Sequence, residues 1–324
     1  MTDLPLVYLP QPIHEDGLAI LEEGARVVRG YGEDGVPIAA VRDEVEGLLL
    51  RFRGIDAETV ATAPRLRAIS RAGAGYESIP LDAARERGIP VLVPSGVNAR
   101  SVAEHVFALA LAVVRNIPHW DRMARSGRDD LFELREGDLS LELSGKRLGL
   151  VGVGQIGGEV GRIGRDGFLM DLAAYHPRRT PEQLRASGYE PMESLHDLLA
   201  WSDVVSVHVP LSAETRGMFG AAEFAAMRPG SVFVNVSRGG VVDEAALAAA
   251  VATGRPGGAG VDVWADKVPR PDNPLLHVDR VVAIPHRAGR TEEAQRRAGV
   301  LAARALLDAL AGREVVDAVD VAAR

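Results

Sequence analysis

Short apolar segments alternate with amphipathic segments along the whole chain. Apolar runs suit strands buried on both faces, and apolar positions at helical spacing suit helices packed on a sheet. In the first third this pattern predicts strands at 6–9, 48–52, 68–70 and 91–93 and helices near 14–23 and 81–87. Such alternation predicts the α/β class, with a parallel sheet covered by helices on both faces.

A second series of elements follows. Residues 99–115 carry apolar positions at helical spacing and almost no helix breaker before Pro118, which predicts a long helix. Six regularly spaced strands are predicted at 147–151, 171–175, 204–209, 231–235, 259–263 and 281–284. A last helix at 291–310 precedes a short strand-like tail, and we expect no substantial further domain after it. Six such strands suit a dinucleotide-binding sheet.

Length and composition argue against several classes of protein function. The 324 residues are enough for two domains, and the chain has no cysteine, which removes disulfides, thiolate nucleophiles and cysteine-bound zinc. A net charge of -8 argues against a nucleic-acid partner. No run of 18 apolar residues and no charged leader with a long apolar stretch occurs, so we expect a cytoplasmic protein without a membrane partner.

A glycine motif follows the strand at 147–151. The residues Gly152, Gly154 and Gly157 form G-x-G-x-x-G, with Gln155 and Ile156 between the last two, and run into a predicted helix. The first glycine permits a tight turn, the second lets the backbone approach a pyrophosphate, and the third allows close helix packing. This order of strand, glycines and helix predicts a dinucleotide site, with an ordinary glycine-rich turn as the alternative.

The residues after the next strand bear on the choice of dinucleotide. A carboxylate at that strand end would bind the ribose hydroxyls of NAD, but Asp171 stands at the strand's beginning. The end instead carries His176, Arg178, Arg179 and Thr180. Arginines can pair with the 2′-phosphate of NADP, so we predict that NADP is preferred and NAD is possible. The alternative is that these are solvated arginines on a turn and that His176 is a surface residue.

Several ordered motifs together resemble one family, the D-isomer-specific 2-hydroxyacid dehydrogenases. They are Gly73-Ala74-Gly75-Tyr76-Glu77-Ser78-Ile79, Asn98 to His105, the glycine motif, His208-Val209-Pro210-Leu211, Asn235-Val236-Ser237-Arg238-Gly239, Gly260-Val261-Asp262-Val263 and Pro285-His286. The resemblance implies two Rossmann-like domains with a cleft between them and usually a homodimer. It implies a substrate-binding domain of residues 1–98 and 290–324, with a dinucleotide-binding domain of residues 99–289 inserted into it.

Two residues suit the chemistry of this family. Reduction of a 2-oxo acid needs a cation for the carboxylate and a proton donor for the developing alkoxide. Arg238, in a Ser-Arg-Gly-Gly loop, and His286, after the last strand, fit these roles. Backbone N–H groups around Ala74 and Gly75 resemble the family's carboxylate cradle, with an ordinary turn as the alternative.

The family motifs also imply further cofactor contacts, at His208, Pro210, Ser237 and Asp262. We interpret His105 as a core or interface residue of the long helix and assign it no catalytic role. No cluster has metal-ligand spacing, so no metal is expected. Arg287 and Arg290 flank the turn after His286 and either bind a second anionic group of the substrate or are solvated.

One position departs from the family pattern. The family's catalytic glutamate stands five residues after the aspartate of Gly-x-Asp-Val, where this chain has Lys267. An ammonium near a catalytic imidazole would lower the histidine pKa and reduce the acid available for reduction. Three explanations stay open: Asp266 takes the role through a one-residue shift, which we favour slightly; Lys267 points outward and no carboxylate is used; or the chemistry differs.

The sequence therefore predicts an NAD(P)-dependent oxidoreductase that transfers a hydride between nicotinamide and a small 2-oxo or 2-hydroxy acid. The alternative from another class is a catalytically weak nicotinamide-binding regulatory or scaffold protein. The expected catalytic residues are Arg238, His286 and Asp266, and a turnover assay separates the two hypotheses.

Overall fold

A computed structural model describes residues 4–134, 139–266, 268–316 and 318–322. The chain divides into two compact units, Met1–Asn98 with Arg290–Arg324 and Ala99–Gly289. The strands, in chain order, are β1 Leu6–Leu9, β2 Arg26–Arg29, β3 Gly47–Leu50, β4 Ala68–Arg71, β5 Val91–Pro94, β6 Arg147–Val151, β7 Asp171–Tyr175, β8 Glu190–Pro191, β9 Val204–Val207, β10 Val232–Asn235, β11 Gly258–Val261, β12 Val281–Ala283 and β13 Ala318–Asp320.

The helices lie between these strands. They are α1 Glu15–Gly24, α2 Ala57–Thr62, α3 Leu81–Glu86, α4 Ala99–Val114, α5 Ile117–Arg125, α6 Leu131–Leu134, α7 Gln155–Phe168, α8 Pro181–Ala186, α9 Leu195–Trp201, α10 Ala221–Ala226, α11 Glu244–Ala252 and α12 Glu292–Leu310, with 3₁₀ turns at Ile38–Ala40, Gly239–Val241 and Pro274–His277.

The first unit has a six-stranded sheet in the order β13-β5-β4-β3-β1-β2. Its strands are parallel except β13, which pairs antiparallel with β5. Apolar side chains fill both faces, with Leu48 and Ile69 on one and Val7 and Leu49 on the other. Strand β2 escaped the sequence analysis because it is an edge strand with only two apolar residues between arginines.

The second unit has a seven-stranded, fully parallel sheet in the order β12-β11-β10-β9-β6-β7-β8. Alternate residues point to opposite faces, so Val232 and Val234 pack on one side and Phe233 on the other. The Phe233 ring lies 5.1 Å from that of Phe219, a packed aromatic contact whose loss by truncation would cost about 3–5 kcal/mol. The predicted α/β class with two mainly parallel sheets is confirmed.

The long helix predicted at 99–115 is shorter and continues as a second helix. Asn116 adopts a left-handed conformation (φ 50°) and ends α4, and Pro118 stands in the first turn of α5, where its missing N–H costs no hydrogen bond. Among the described residues, no single helix is long and apolar enough to cross a membrane, although the bent pair α4 and α5 passes that test together. Much of α4 is buried in the core of the second unit.

Candidate functional site

The glycine turn after β6 is packed so closely that side chains are excluded at two positions. Gly152 has φ 93°, and a Cβ on Gly157 would lie 2.3 Å from the Gly152 carbonyl oxygen. A Cβ on Gly154, in contrast, would meet nothing within 4 Å. The turn is therefore rigid on the protein side and open at Gly154, where a ligand can approach the backbone.

The beginning of α7 suits an anion. Gly154 is the N-cap residue, and no side chain caps the helix, so its first N–H groups and the positive end of its dipole are available for a phosphate. Gln155 is exposed and Ile156 is half-buried at this end of the helix. The turn and helix therefore fit the pyrophosphate of a dinucleotide.

His208 packs against the glycine turn. The main-chain N–H of His208 donates to the Val151 carbonyl (2.8 Å), and the ring atom Cδ2 lies 3.4 Å from the position of a Cβ on Gly157. Both ring nitrogens are buried and have no hydrogen-bond partner among the described residues. Burial lowers the pKa of His208 to about 3, so the imidazole is neutral near pH 7.

The loop that follows His208 is stabilised by hydrogen bonds between its own residues. Pro210 is exposed, and its carbonyl accepts a hydrogen bond from the buried Thr215 hydroxyl (2.5 Å). The same hydroxyl accepts from the Ser212 N–H (2.8 Å). These bonds fix the course of the chain where it leaves the carboxyl end of β9.

The segment after β7 presents two cations. Arg178 and Arg179 are exposed, and within the described part of the chain neither guanidinium forms a hydrogen bond or an ion pair. Burial, Arg179 and Arg178, in that order, lower the pKa of His176, whose Nδ1 accepts a hydrogen bond from the Arg178 N–H (3.1 Å). The pKa of Glu214 is lowered chiefly by a hydrogen bond from the Ser212 hydroxyl, and the Arg178 charge lowers it further. The arrangement can bind a phosphate but places an acid in the field of one arginine.

Thr180 has a structural task. It is the N-cap of α8, where its hydroxyl accepts from the Gln183 N–H and the Gln183 side chain accepts from the Thr180 N–H. The same hydroxyl forms a side-chain hydrogen bond with Glu182, so it is engaged within the first turn of α8.

The loop that carries Arg238 is organised by Asn235 at the end of β10. The Asn235 side chain accepts from the N–H and hydroxyl of Ser237 (3.1 and 2.9 Å) and donates to the Arg238 carbonyl (3.1 Å). The Ser237 hydroxyl is therefore engaged inside the protein. Arg238 is half-buried, and its guanidinium donates to the Ser237 carbonyl (2.8 Å).

The loop that carries His286 is organised by Asp262. The Asp262 carboxylate is fully buried and accepts from the N–H groups of Arg287 (2.7 Å) and Ala288 (3.1 Å). The Asp262 carbonyl accepts from the His286 N–H (2.7 Å). His286 itself is exposed and has φ 54°, a conformation that costs a non-glycine residue free energy unless its neighbours hold it.

Arg238 and His286 share one anchor. The Asp262 N–H donates to the Asn235 carbonyl (3.0 Å), and the Trp264 indole donates to the Ile284 carbonyl (2.9 Å). A Cβ on Gly239 would lie 1.9 Å from the Trp264 carbonyl carbon, so the two loops touch through backbone. The segment from Asp262 to Trp264 therefore positions both.

Asp266 is exposed, and it forms no ion pair with His286. Lys267 lies outside the described residues. The preceding segment is held by Glu244, whose carboxylate accepts from the Ala265 N–H and from the Asn273 side chain (2.8 and 2.5 Å). Sequence reasoning missed Glu244, because acidic residues are common in the first turn of a helix, where they interact favourably with the helix dipole.

The predicted carboxylate cradle lies in the first unit, after β4. Ala74 is exposed and Gly75 half-buried. Beside this loop stands Arg71, which is 8% exposed, and whose Nε and Nη1 are buried without a hydrogen-bond partner among the described residues. Burial lowers its pKa to about 10, against the opposite effect of Glu77, so the side chain stays charged at neutral pH. Sequence reasoning missed Arg71 because this chain has many arginines.

No group of three or more His, Asp or Glu side chains within the described ranges could hold a metal ion.

The chain is similar to proteins of one known family. Residues 107–288 match the family described as D-isomer specific 2-hydroxyacid dehydrogenase, NAD binding domain. The D-3-phosphoglycerate dehydrogenase of Archaeoglobus fulgidus is 36% identical over 317 residues, 97% of this chain and 59% of that protein. The chain thus spans about three-fifths of the length of the D-3-phosphoglycerate dehydrogenases that it matches.

Two further proteins are similar over nearly their whole lengths. The glyoxylate reductase of Korarchaeum cryptofilum is 35% identical over 311 residues, 94% of this chain and 92% of that protein. The solved structure of an NADPH-dependent glyoxylate/hydroxypyruvate reductase from Sinorhizobium meliloti, in complex with NADP and malonate, has a TM-score of 0.82 and 29% identity. That similarity covers 97% of this chain and 96% of the other.

Proposed function

The chain belongs to the D-isomer-specific 2-hydroxyacid dehydrogenase family, and on this premise we propose that it is an NAD(P)-dependent reductase of small 2-oxo acids that prefers NADP. The observation that carries the proposal is the common anchor of the Arg238 and His286 loops on the segment from Asp262 to Trp264, within the unit that holds the glycine turn. The Arg238 guanidinium and the His286 imidazole are thus positioned by the same segment, in a unit whose sheet suits a dinucleotide.

The nicotinamide, when bound, supplies or accepts the hydride. The guanidinium of Arg238 binds the carboxylate and carbonyl oxygens of the 2-oxo acid, which polarises the carbonyl. The imidazolium of His286 donates a proton to the oxygen that becomes the hydroxyl, and in the reverse direction the neutral imidazole accepts it. The N–H groups of Ala74 and Gly75 bind the substrate carboxylate.

The dinucleotide is held by the glycine turn and the beginning of α7, at Gly152, Gly154, Gln155, Ile156 and Gly157. His208 and Pro210 support the turn side of this site. The buried polar groups of Ser237 and Asp262 act mainly through the loops that they hold.

The preference for NADP rests on the end of β7. Arg178 and Arg179 are exposed cations without ion pairs in the described ranges, so binding a 2′-phosphate would break no hydrogen bond or ion pair of their guanidinium groups there. The similar Sinorhizobium meliloti reductase is NADPH-dependent, which agrees with this proposal. Thr180 caps α8 directly after these arginines, and His176 orients the segment through its bond to the Arg178 N–H.

A substrate with a second anionic group is a further candidate, because a buried guanidinium with two unpartnered donors is costly unless it binds an anion. The similar Archaeoglobus fulgidus protein is a D-3-phosphoglycerate dehydrogenase, which would suit a phosphorylated substrate. Arg71→Met should then lower kcat/KM for phosphohydroxypyruvate by about 10-fold or more and leave that for glyoxylate within about 2-fold. An equal loss for both substrates would contradict this candidate.

We also propose a homodimer assembled through the second unit. Exposed apolar side chains occur in and after α5 and α6 in this unit, at Ile117, Phe132 and Leu141. Such side chains indicate a surface that an oligomer buries. Light scattering coupled to gel filtration should give twice the monomer mass, and a monomer at micromolar concentration would contradict the dimer.

The main test is turnover with a panel of 2-oxo acids (glyoxylate, pyruvate, hydroxypyruvate and phosphohydroxypyruvate) and both reduced cofactors. We expect reduction of at least one acid, faster with NADPH. Arg238→Lys should lower kcat/KM by about 100-fold, because an ammonium cannot form a bidentate pair, while Arg228→Lys at the other end of β10 should not. Tight NADPH binding without turnover on any acid would favour the regulatory or scaffold alternative.

A further inference from the structure

His105 lies on α4, opposite the loop that carries His286. Its Nε2 lies 3.4 Å from Asp262 Oδ1, and His105 is the one ion-pair partner of Asp262 among the described residues. Nε2 is itself buried and lacks a hydrogen-bond partner in this part of the chain, so the Asp262 carboxylate is the polar group that this donor faces. Asp262 Oδ1 thus faces both the Arg287 N–H and the His105 imidazole, while Oδ2 accepts from the Ala288 N–H.

The contact follows from the packing register of α4 on β11. A Cβ on Gly258 would lie 2.6 Å from Val113 Cγ1, and a Cβ on Gly260 would lie 2.7 Å from Leu109 Cβ. Four helical residues advance about 6 Å and two strand residues about 6.6 Å, so one further step places position 105 opposite position 262. Two glycines on the strand let the helix come close enough for His105 to reach the carboxylate.

We infer that His105 is a positioning residue for His286, acting through Asp262. A buried carboxylate is stabilised by each donor or cation that it faces. When one of these partners is removed, the carboxylate is less well stabilised in its place, and its remaining hydrogen bonds open more often. His105 therefore keeps the Asp262 carboxylate on the N–H groups of Arg287 and Ala288. Those two bonds and the Asp262 carbonyl hold His286 in its left-handed conformation. The inference rests on the proposed role of His286 as proton donor.

Amide exchange of the unliganded protein tests the positioning without relying on turnover. In His105→Leu the amides of Arg287 and Ala288 should exchange about 10-fold faster or more, while those of β6 stay unchanged and show that the unit is folded. In His105→Gln, which restores a donor, the exchange should return to within about 3-fold of the wild type. The control is His196→Leu, since His196 Nε2 also lies 3.4 Å from a carboxylate, that of Glu223.

Kinetics supply the second readout. His105→Leu should lower kcat for the best 2-oxo acid by about 10-fold or more and change its KM by less than about 3-fold, with rescue in His105→Gln. Unchanged exchange at Arg287 and Ala288 in His105→Leu would overturn the inference, whatever the turnover. The same holds if the exchange rises but kcat does not fall in an active enzyme. If the wild type reduces no 2-oxo acid and the exchange pattern appears as expected, the positioning contact is supported and the proposed function fails.

Discussion

The side-chain amide of Asn235 donates a hydrogen bond to the main-chain oxygen of Arg238 (3.1 Å). Asn235 is 1% exposed and also accepts from Ser237, so one carboxamide closes the turn that leads from β10 to the proposed substrate-binding arginine. The direction of the Arg238 side chain therefore depends on a residue that touches neither substrate nor cofactor in the proposed scheme.

Asn235→Ala should weaken both stability and activity. Truncation leaves the Ser237 N–H without its partner, and an unsatisfied buried group costs about 1–3 kcal/mol. We expect kcat/KM to fall by about 10-fold or more and the free energy of unfolding in urea to decrease by that amount. Ser231→Ala, at the other end of β10, loses a hydroxyl bonded to the Arg228 carbonyl (2.7 Å) and should leave kcat/KM unchanged. Normal kinetics in Asn235→Ala would show that the turn does not position Arg238.

The double variant Arg178→Ala, Arg179→Ala should remove the preference for NADPH. Two charge-assisted bonds to a 2′-phosphate contribute about 1.5–3 kcal/mol each, so the Kd of NADPH should rise by about 100-fold or more, with that of NADH within about 2-fold. Fluorescence titration of both cofactors measures this. Arg185→Ala, on α8, serves as the control. Equal affinity of the wild type for the two cofactors would reject the preference at once.

Two substitutions separate the explanations for position 267. If Lys267 faces His286, Lys267→Glu should move the alkaline limb of the pH profile of reduction to higher pH, because an anion favours the protonated imidazole. If Asp266 is the acid partner, Asp266→Asn should move that limb to lower pH and Lys267→Glu should do little. Profiles of kcat/KM between pH 5 and 9 check both. No shift in either variant, with activity abolished in His286→Ala, would exclude a carboxylate-assisted histidine.

His208 makes the folded state sensitive to acid. Its folded pKa of about 3 lies below the unfolded value of about 6.5, so the unfolded chain takes up this proton more readily as the pH falls. The contribution of a neutral His208 is complete above pH 6.5 and is lost progressively toward pH 3. His208→Leu and His208→Gln should flatten the decrease of the unfolding free energy between pH 6.5 and 4.5, by at most about 1.4 kcal/mol per pH unit.

Urea titrations at several pH values measure this effect, with His196→Leu as the control, because His196 is largely exposed on the same unit. The same pH slope in the wild type and in both His208 variants would mean that the imidazole is hydrated in solution.

The sequence by itself determined the α/β class, most strands of both sheets, the glycine turn and the family. These features are local: an apolar run, a glycine at a fixed spacing and a motif at a strand end are all carried by neighbouring residues. The edge strand β2, which it missed, has only two apolar residues between arginines and therefore no apolar run.

Only the tertiary structure decided which polar residues serve the proposed site indirectly. Arg71 is one of 35 arginines in the sequence, and nothing local marks it as buried with unpartnered donors. The contact between His105 and Asp262 joins residues 157 positions apart, and it exists because glycines at 258 and 260 let α4 approach β11. Burial and long-range register depend on how whole elements pack, and no window of neighbouring residues contains that information.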